Sequence, residues 1–176
     1  PDIITIAKGL TSAYAPLSGS IVSEKVWAVL EQGTDEFGPI GHGWTYSAHP
    51  ICAAAGVANL KLIDDLNLIE NNTTIGDYLR QQLTATIGDH PYVGDIRGVG
   101  MLAAVEFVED KETSRPFDPA AGIGAKIAAA LAARGVIGRA MPQGDILGFA
   151  PPFCMSRDEA DTVVVATREA VTEVFA

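Results

Sequence analysis

A single lysine stands at the end of the first apolar run of the chain. The run from Ile3 to Ala7 is apolar and β-branched, which predicts a short buried strand that ends at Lys8-Gly9. Partial burial at the end of such a strand would favour the neutral amine, which can attack a carbonyl carbon. The alternative is an ordinary lysine at a sheet edge, with its ammonium group in solvent. The residues of this segment leave both readings open.

A second candidate is the loop segment Gly41-His42-Gly43-Trp44-Thr45-Tyr46-Ser47-Ala48-His49-Pro50, which precedes a predicted helix. Its alternating glycines leave main-chain N–H groups accessible, and Thr45 and Ser47 add hydroxyl groups. Donors of this kind ahead of a helix can bind phosphate; the alternative is a polar loop with a helix cap. His42 and His49 are seven residues apart with no carboxylate between them, which disfavours a metal site.

Arg139 is the third candidate, between Gly138 and the stretch Ala140-Met141-Pro142-Gln143-Gly144, which is predicted to be a flexible loop. An arginine on a mobile loop can bind a carboxylate with two hydrogen bonds and swing away when no carboxylate is present. The alternative is a solvated loop arginine. A second arginine, Arg97, is expected to pair with a structural carboxylate rather than with a substrate.

The elements that would position these residues alternate between strand and helix, which predicts an α/β fold with helices covering a sheet. Ser23 is expected to cap the first helix and Gly33 to end it. The last helix begins with the capping-box spacing of Ser156 and Glu159. The predicted strands are 3–7, 18–22, 93–97, 101–108, 136–139 and 146–149, and the predicted helices are 23–32, 50–63, 75–87, 120–134 and one from 156 onward.

The composition excludes several classes of protein. The 176 residues are 48% hydrophobic and 19% charged, which is typical of a globular chain with a buried core. The formal net charge of −10 repels phosphate backbones and anionic lipids, so no nucleic-acid or membrane partner is expected. The uncharged stretch 44–60 is too short to span a membrane. The two cysteines form no CxxC motif, which favours a reducing, cytoplasmic location.

The three candidate segments together resemble the class III aminotransferases, which are pyridoxal-phosphate enzymes of fold type I. The segment from Pro1 to Leu10 is similar to the cofactor-lysine signature of that family, and the HGWTY segment, 42–46, is similar to its phosphate-contact loop. The spacing between Lys8 and Thr45 also matches. The downstream segments IRGVGM, 96–101, and GDILGFAPPF, 144–153, resemble the C-terminal domain of the family, so the likeness covers essentially the whole chain.

The resemblance implies a role for each candidate residue. Lys8 matches the lysine that binds pyridoxal 5'-phosphate covalently and moves the proton between substrate and cofactor. Thr45, with the main chain of Trp44, matches the segment that contacts the cofactor phosphate of the neighbouring subunit, which implies a homodimer with shared active sites. Arg139 matches the mobile arginine of the subgroup that transfers an amino group from an amine or ω-amino acid to pyruvate. No metal is implied.

The resemblance also predicts the place of the chain in a longer enzyme. The phosphate cup, the ring stacked on the cofactor and the aspartate paired with the pyridine nitrogen all precede the lysine in this family. Since Lys8 is the eighth residue, we expect a C-terminal half that is inactive alone, with the end of the large domain at 1–79 and the small domain at 80–176. The alternatives are a decarboxylating or aminomutase member of class III, and a non-catalytic association domain.

Overall fold

The computed structural model of the chain describes residues 1–39, 41, 43–142 and 144–176. It divides into two compact units, Pro1–Leu66 and Asn67–Ala176, each with its own β-sheet. The mixture of helix and sheet confirms the predicted fold class. The sequence predicts a domain boundary between 79 and 80, which falls within a helix of the second unit. In the structure, the division between the two units lies between Leu66 and Asn67 along the chain.

The first unit consists of a two-stranded antiparallel ribbon and two helices. Strand β1, Ile3–Ile6, pairs with β2, Gly19–Val22, and a 3-10 turn, Lys8–Thr11, lies between them in the chain. We call the segment 8–13, which comprises this turn and the two residues after it, the lysine turn. Helix α1, Glu24–Phe37, follows β2, and helix α2, Pro50–Asp65, begins close to its predicted start and packs on the lysine turn.

The prediction that β1 is a buried strand is wrong for this chain. Ile3 and Ile4 are 57% and 47% exposed. A two-stranded ribbon buries an apolar face only when another layer packs on it, and the described part of this unit leaves β1 largely uncovered.

Helix α1 is longer than the sequence predicts. It continues through Gly33 to Phe37 and ends at Gly38, whose φ of 85° is suited to glycine. One interior glycine costs a helix only about 1 kcal/mol, which is too little to end it. Ser23 does occupy the N-cap position, but its hydroxyl donates to Asp2 Oδ1 at 3.0 Å instead of accepting a helix N–H.

The second unit is a four-stranded antiparallel sheet with three helices. The strands run in the order β3-β4-β6-β5 across the sheet. They are β3, Val93–Val99; β4, Leu102–Phe107; β5, Arg139–Ala140; and β6, Asp145–Phe149. The helices are α3, Leu68–Ile87; α4, Ile123–Ala132; and α5, Arg157–Val174. Helix α4 is shorter than the predicted helix 120–134. A 3-10 turn, Pro119–Ala121, precedes it, and Gly122 at φ 58° separates this turn from the helix.

The core of the second unit lies between the helices and one face of the sheet. Ala103, Val105 and Phe107 alternate along β4 and are buried, whereas Leu102 is 56% exposed on the opposite face. The buried helix residues include Leu79, Leu83, Ile127, Leu131 and Val171. One face of the sheet is therefore covered and the other stays open.

The predicted capping box at the start of α5 is confirmed. The N–H of Glu159 donates to Ser156 Oγ at 3.3 Å, and the carboxylate of Glu159 accepts from the N–H of Ser156 at 2.7 Å. These two bonds satisfy donors that the first turn of a helix otherwise leaves without partners.

Two helical glycines are expected to respond in opposite ways to replacement by alanine. A Cβ at Gly76 would overlap the carbonyl oxygen of Gly100, so Gly76→Ala should lower the free energy of unfolding by about 1–3 kcal/mol. Gly33 has open space around its Cβ position, so Gly33→Ala should raise it by about 0.5–1 kcal/mol. Urea unfolding of the two variants measures whether the free energy of unfolding falls for Gly76→Ala and rises for Gly33→Ala. A destabilised Gly33→Ala variant or an unaffected Gly76→Ala variant would contradict this packing.

Candidate functional site

Lys8 is the first residue of the lysine turn and lies two residues after the end of β1. Its φ of 51° lies in the left-handed region, as do those of Ser12 and Ala13 at the far end of the turn, at 49° and 61°. The side chain is exposed, which corrects the expectation of a partly buried amine, because the ribbon beside it is uncovered. Within the described ranges, Lys8 Nζ makes no hydrogen bond or ion pair.

The other lysines differ from Lys8 in their surroundings. Lys25 Nζ lies 3.2 Å from Asp2 Oδ2, Lys61 Nζ lies 2.7 Å from Asp65 Oδ2, and Lys111 Nζ donates to the carbonyl of Gly88 at 2.6 Å. The fifth, Lys126, is an exposed residue in the middle of α4. Of the five lysines, Lys8 alone has a positive φ.

Helix α2 contributes a side chain to the lysine turn that the sequence analysis missed. Asn59 Nδ2 donates to the carbonyl oxygens of Gly9 and Leu10 at 2.9 and 3.2 Å, and the hydroxyl of Ser12 donates to Asn59 Oδ1. A half-buried asparagine in an otherwise apolar stretch of helix is the signal that could have found it.

The candidate phosphate loop forms a turn just before α2. The N–H of Trp44 donates to Ser47 Oγ at 3.1 Å, and the N–H of Ser47 donates to the carbonyl of Trp44 at 2.9 Å. The hydroxyl of Ser47 is therefore used within the loop. Thr45 is exposed, and its hydroxyl makes no hydrogen bond to any described residue. His42, which belongs to the same motif, lies outside the described residues.

Arg139 lies on an edge strand of the second unit rather than on a flexible loop. It forms β5 with Ala140 and lies opposite Gly148 of β6, which corrects the expectation of a mobile main chain. The two-residue strand forms because the hairpin that follows returns the chain to the sheet, with the N–H of Met141 donating to the carbonyl of Ile146 at 2.8 Å. Gln143, in the same predicted loop, lies outside the described residues.

The side chain of Arg139 is exposed and borders a groove of about 1000 Å³ on the open face of the sheet. Apolar and small residues form most of its lining, among them Leu102, Ala104, Ile137, Met141, Ile146 and Gly148. Arg139 makes no ion pair with any residue that the structure describes. A guanidinium at the edge of an apolar groove can bind a carboxylate whose substituent enters the groove.

The other arginine of this groove is already paired. Arg97 Nη1 lies 2.9 Å from Asp95 Oδ2 and 2.5 Å from Glu106 Oε2. The hydrogen bonds that Arg97 donates to the carboxylates of Asp95 and Glu106 raise the pKa of Arg97 above its usual value. The prediction that Arg97 pairs with a structural carboxylate is confirmed, and Arg139 is left as the groove's available cation.

The structure thus distributes the candidate residues over both units. Lys8, Trp44 and Thr45 belong to the first unit and Arg139 to the second. No hydrogen bond between described residues links Lys8 to Thr45. Taken separately, an amine can react with an aldehyde, a hydroxyl can donate to a phosphate and a guanidinium can bind a carboxylate. The groups of the first unit fit pyridoxal 5'-phosphate, and that of the second unit fits a carboxylate.

Neither a cluster of metal ligands nor a membrane-spanning helix is found among the described residues. Across the described parts of the chain, no three His, Cys, Asp or Glu side chains are grouped as metal ligands would be. His49 lies beside Tyr46 instead, with the ring centroids 6.1 Å apart. Among the helices built from described residues, none combines the length and the apolar character that crossing a membrane requires.

Comparison with known proteins gives one family. The model of the family described as aminotransferase class-III matches residues 1–171. A diaminobutyrate–2-oxoglutarate transaminase of Halomonas elongata is 56% identical over 174 residues, which are 99% of this chain and 37% of that protein. A putrescine–pyruvate aminotransferase of Pseudomonas aeruginosa is 36% identical over 177 residues, covering 100% of this chain and 37% of that protein.

The solved structures agree with the sequence comparisons. A transaminase structure from directed evolution by ancestral reconstruction superposes with a TM-score of 0.95 at 59% identity, over 99% of this chain and 38% of that one. The chain therefore spans well under half the length of the proteins it matches.

Proposed function

We propose that this chain, which belongs to the class III aminotransferase family, is the C-terminal part of a pyridoxal-phosphate-dependent transaminase of fold type I. Family membership follows from the match over residues 1–171. The observation that carries the proposal is the exposed, unpaired amine of Lys8 on the lysine turn. Because the chain spans 37% of its first relative, the activity proposed is that of the complete protein.

In this proposal Lys8 has two tasks. Its Nζ would hold the cofactor by a covalent bond. The same amine, when free, would act as the base that accepts a proton from the substrate carbon and gives it back. Pyridoxal 5'-phosphate, when bound, supplies the electron-withdrawing system that stabilises negative charge on the substrate carbon.

Thr45 is the proposed contact for the cofactor phosphate. Its hydroxyl is exposed and without a described partner, and helix α2 begins a few residues later at Pro50 without a side-chain cap. The main chain of Trp44 is the second proposed contact, but its N–H already donates to Ser47 and would have to leave that oxygen. Thr45 therefore supplies the main donor.

Replacing Thr45 is expected to weaken cofactor retention. One hydrogen bond to a charged group is worth roughly 1.5–3 kcal/mol, so Thr45→Ala should raise the Kd of the cofactor roughly 10- to 150-fold. Equilibrium dialysis of the complete protein measures this Kd. Thr45→Ser keeps the hydroxyl and is the matched control, expected to stay within a few-fold of the wild type. Equal Kd values for Thr45→Ala and wild type would contradict the assignment.

The resemblance further suggests that Thr45 serves the neighbouring subunit in a homodimer. A mixed dimer of Thr45→Ala and Lys8→Ala protomers tests this sharing. With shared sites, one site carries both changes and the other neither, so about half of the activity per dimer should survive. If the loop serves its own subunit, each site carries one change, and only the weakened activity of the intact-lysine site remains.

The proposed reaction passes an amino group from an amine or ω-amino acid to a keto acid in two half-reactions. We propose pyruvate as the acceptor, on the likeness of Arg139 and its surroundings to the amine:pyruvate subgroup and on the relative named putrescine–pyruvate aminotransferase. The cytoplasm is the proposed location, in keeping with two free cysteines.

A second acceptor, 2-oxoglutarate, is favoured by the 56% identical relative named for it. Product analysis with each keto acid separates the two. Alanine formed from pyruvate supports the proposal, whereas glutamate formed only with 2-oxoglutarate replaces it. Carbon dioxide release or isomerisation of the amine without any keto acid would instead indicate a decarboxylating or aminomutase member.

A further inference from the structure

The contacts of α2 point to a role for a residue that neither the family match nor the sequence analysis assigns. We infer that Asn59 is a positioning residue that holds the lysine turn, and with it the amine of Lys8, in the geometry that reacts with the cofactor. This inference rests on the proposed function of Lys8. It concerns the main chain that carries the lysine rather than the reacting atoms.

The orientation of the Asn59 amide is fixed by its partners. The carbonyl oxygens of Gly9 and Leu10 can only accept hydrogen bonds, so the Nδ2 group must face them. The hydroxyl of Ser12 donates to Oδ1 on the other side of the amide. One side chain therefore binds three of the four residues that follow Lys8, namely Gly9, Leu10 and Ser12, which restricts the movement of the turn.

The turn needs such support because its main chain is strained. Lys8, Ser12 and Ala13 all have positive φ values, which side chains with a Cβ rarely adopt. Strained main chain persists only where surrounding contacts determine it. The internal bond from the N–H of Ala13 to the carbonyl of Lys8, at 3.1 Å, closes the turn, and Asn59 supplies the contacts from outside it.

Helix α2 comes close enough to act as a rigid support. Gly56, one helical turn before Asn59, is buried, and a Cβ there would lie 3.0 Å from Leu17 Cδ2 and 3.8 Å from the carbonyl oxygen of Leu10. Thr11 of the turn is 2% exposed, and its hydroxyl donates to the carbonyl of Ala15 at 2.6 Å. Asn59 thus extends from a helix that is packed against the turn.

The consequence for chemistry is geometric. An amine that must reach one aldehyde carbon and later one substrate proton loses rate when its main chain shifts by about 1 Å. Without Asn59 the turn samples other conformations, so formation of the covalent bond to Lys8 should slow by roughly tenfold. Non-covalent binding of the cofactor should change little, because Asn59 does not touch the proposed phosphate contact.

The test uses the complete protein stripped of cofactor, with pyridoxal 5'-phosphate as the probe. After mixing, samples are reduced with borohydride at intervals, and the pyridoxyl group on the Lys8 peptide is counted against total bound cofactor. Hydrogen–deuterium exchange of the Leu10–Ala13 amides in the stripped protein gives a second readout that requires no activity. Asn59→Ala should slow labelling roughly tenfold and raise exchange in the turn.

Two further variants sharpen the result. Asn59→Asp keeps the shape of the side chain but places an acceptor against two carbonyl oxygens, so it should slow labelling at least as much as Asn59→Ala. Asn71→Ala is the matched control, because Asn71 Nδ2 also donates to two carbonyls, those of Phe153 and Met155 at 2.6 and 3.0 Å, but in the second unit. It should lower stability without slowing the labelling of Lys8.

The outcomes separate this inference from the proposed function. If the wild type labels Lys8 and Asn59→Asp does so at the same rate, the positioning role is overturned and the proposed function stands. If Asn59→Ala and Asn71→Ala slow labelling equally, the effect is general destabilisation, and the positioning role is likewise overturned. If the wild type does not label Lys8, the proposed function fails and the inference fails with it.

Discussion

Lys8→Ala in the complete protein is expected to lower turnover by more than about 10⁴-fold, because one amine both binds the cofactor covalently and transfers the proton. Stopped-flow measurement of the amine half-reaction checks this. Cofactor should still bind non-covalently through the phosphate contact, so its affinity falls far less than the rate. Lys126→Ala is the matched control: Lys126 is another exposed lysine, on a helix of the second unit, and its variant should keep wild-type turnover.

The loss of turnover must be specific to Lys8 for the assignment of this residue to hold. A Lys8→Ala protein that still turns over at a substantial fraction of the wild-type rate would show that another group transfers the proton. A loss of turnover in Lys126→Ala as large as that in Lys8→Ala would mean that the loss reports folding rather than chemistry.

Arg139→Ala is expected to impair the half-reaction with pyruvate and to leave the half-reaction with a carboxylate-free amine unchanged. A hydrogen-bonded pair between a guanidinium and a carboxylate is worth roughly 1.5–3 kcal/mol, so the KM for pyruvate should rise roughly 10- to 150-fold. The half-reaction with an amine that lacks a carboxylate, such as a phenylethylamine, should be unaffected. Single-turnover kinetics measure the effect of Arg139→Ala on each half-reaction separately. Arg139→Lys keeps the positive charge but cannot form a bidentate pair with a carboxylate. Its KM for pyruvate should therefore fall between those of the wild type and Arg139→Ala.

The physical reason lies in the cost of an unpaired charge. A fixed guanidinium enclosed with an apolar substituent would lose its water without gaining a partner, which costs several kcal/mol. Because the main chain of Arg139 is held in β5 opposite Gly148, the side chain alone must move between half-reactions. Equal damage to both half-reactions would make Arg139 structural, and an unchanged pyruvate half-reaction would place the carboxylate elsewhere.

Local signals in the sequence were enough to find most of the elements. The capping box of Ser156 and Glu159 and the proline at the start of α2 each depend on neighbouring residues, and both helices begin close to where these signals place them. Gly33 failed as a stop signal because it keeps helical backbone angles, and the chain leaves the helix only at Gly38, whose φ is 85°.

Signals that depend on distant residues could not be read in this way. The apolar residues Val57 and Leu60 of α2 are 69% and 50% exposed, whereas Gly56 and Asn59 face the lysine turn. Periodicity indicates an apolar face but not the partner of each face. The hydrogen bond from Asn59 to Gly9 spans 50 residues, so no local pattern of the sequence contains it.

The boundary between the two units was also misplaced because periodicity does not identify the partner of an apolar helix face. Leu79, Leu83 and Ile87 are spaced as one face of a helix, which correctly predicts the C-terminal part of α3, although the helix begins at Leu68 rather than at 75. That face is buried against the sheet and α5 of the second unit, so the whole helix belongs there. The predicted boundary between 79 and 80 therefore lies inside α3.

Borohydride reduction of the complete protein with pyridoxal 5'-phosphate, followed by peptide mapping, tests the central claim most directly. Reduction fixes the cofactor to whichever amine holds it. We expect a single pyridoxyl group on the peptide that contains Lys8. A pyridoxyl group on Lys25, Lys61, Lys111 or Lys126, with Lys8 unmodified, would contradict it.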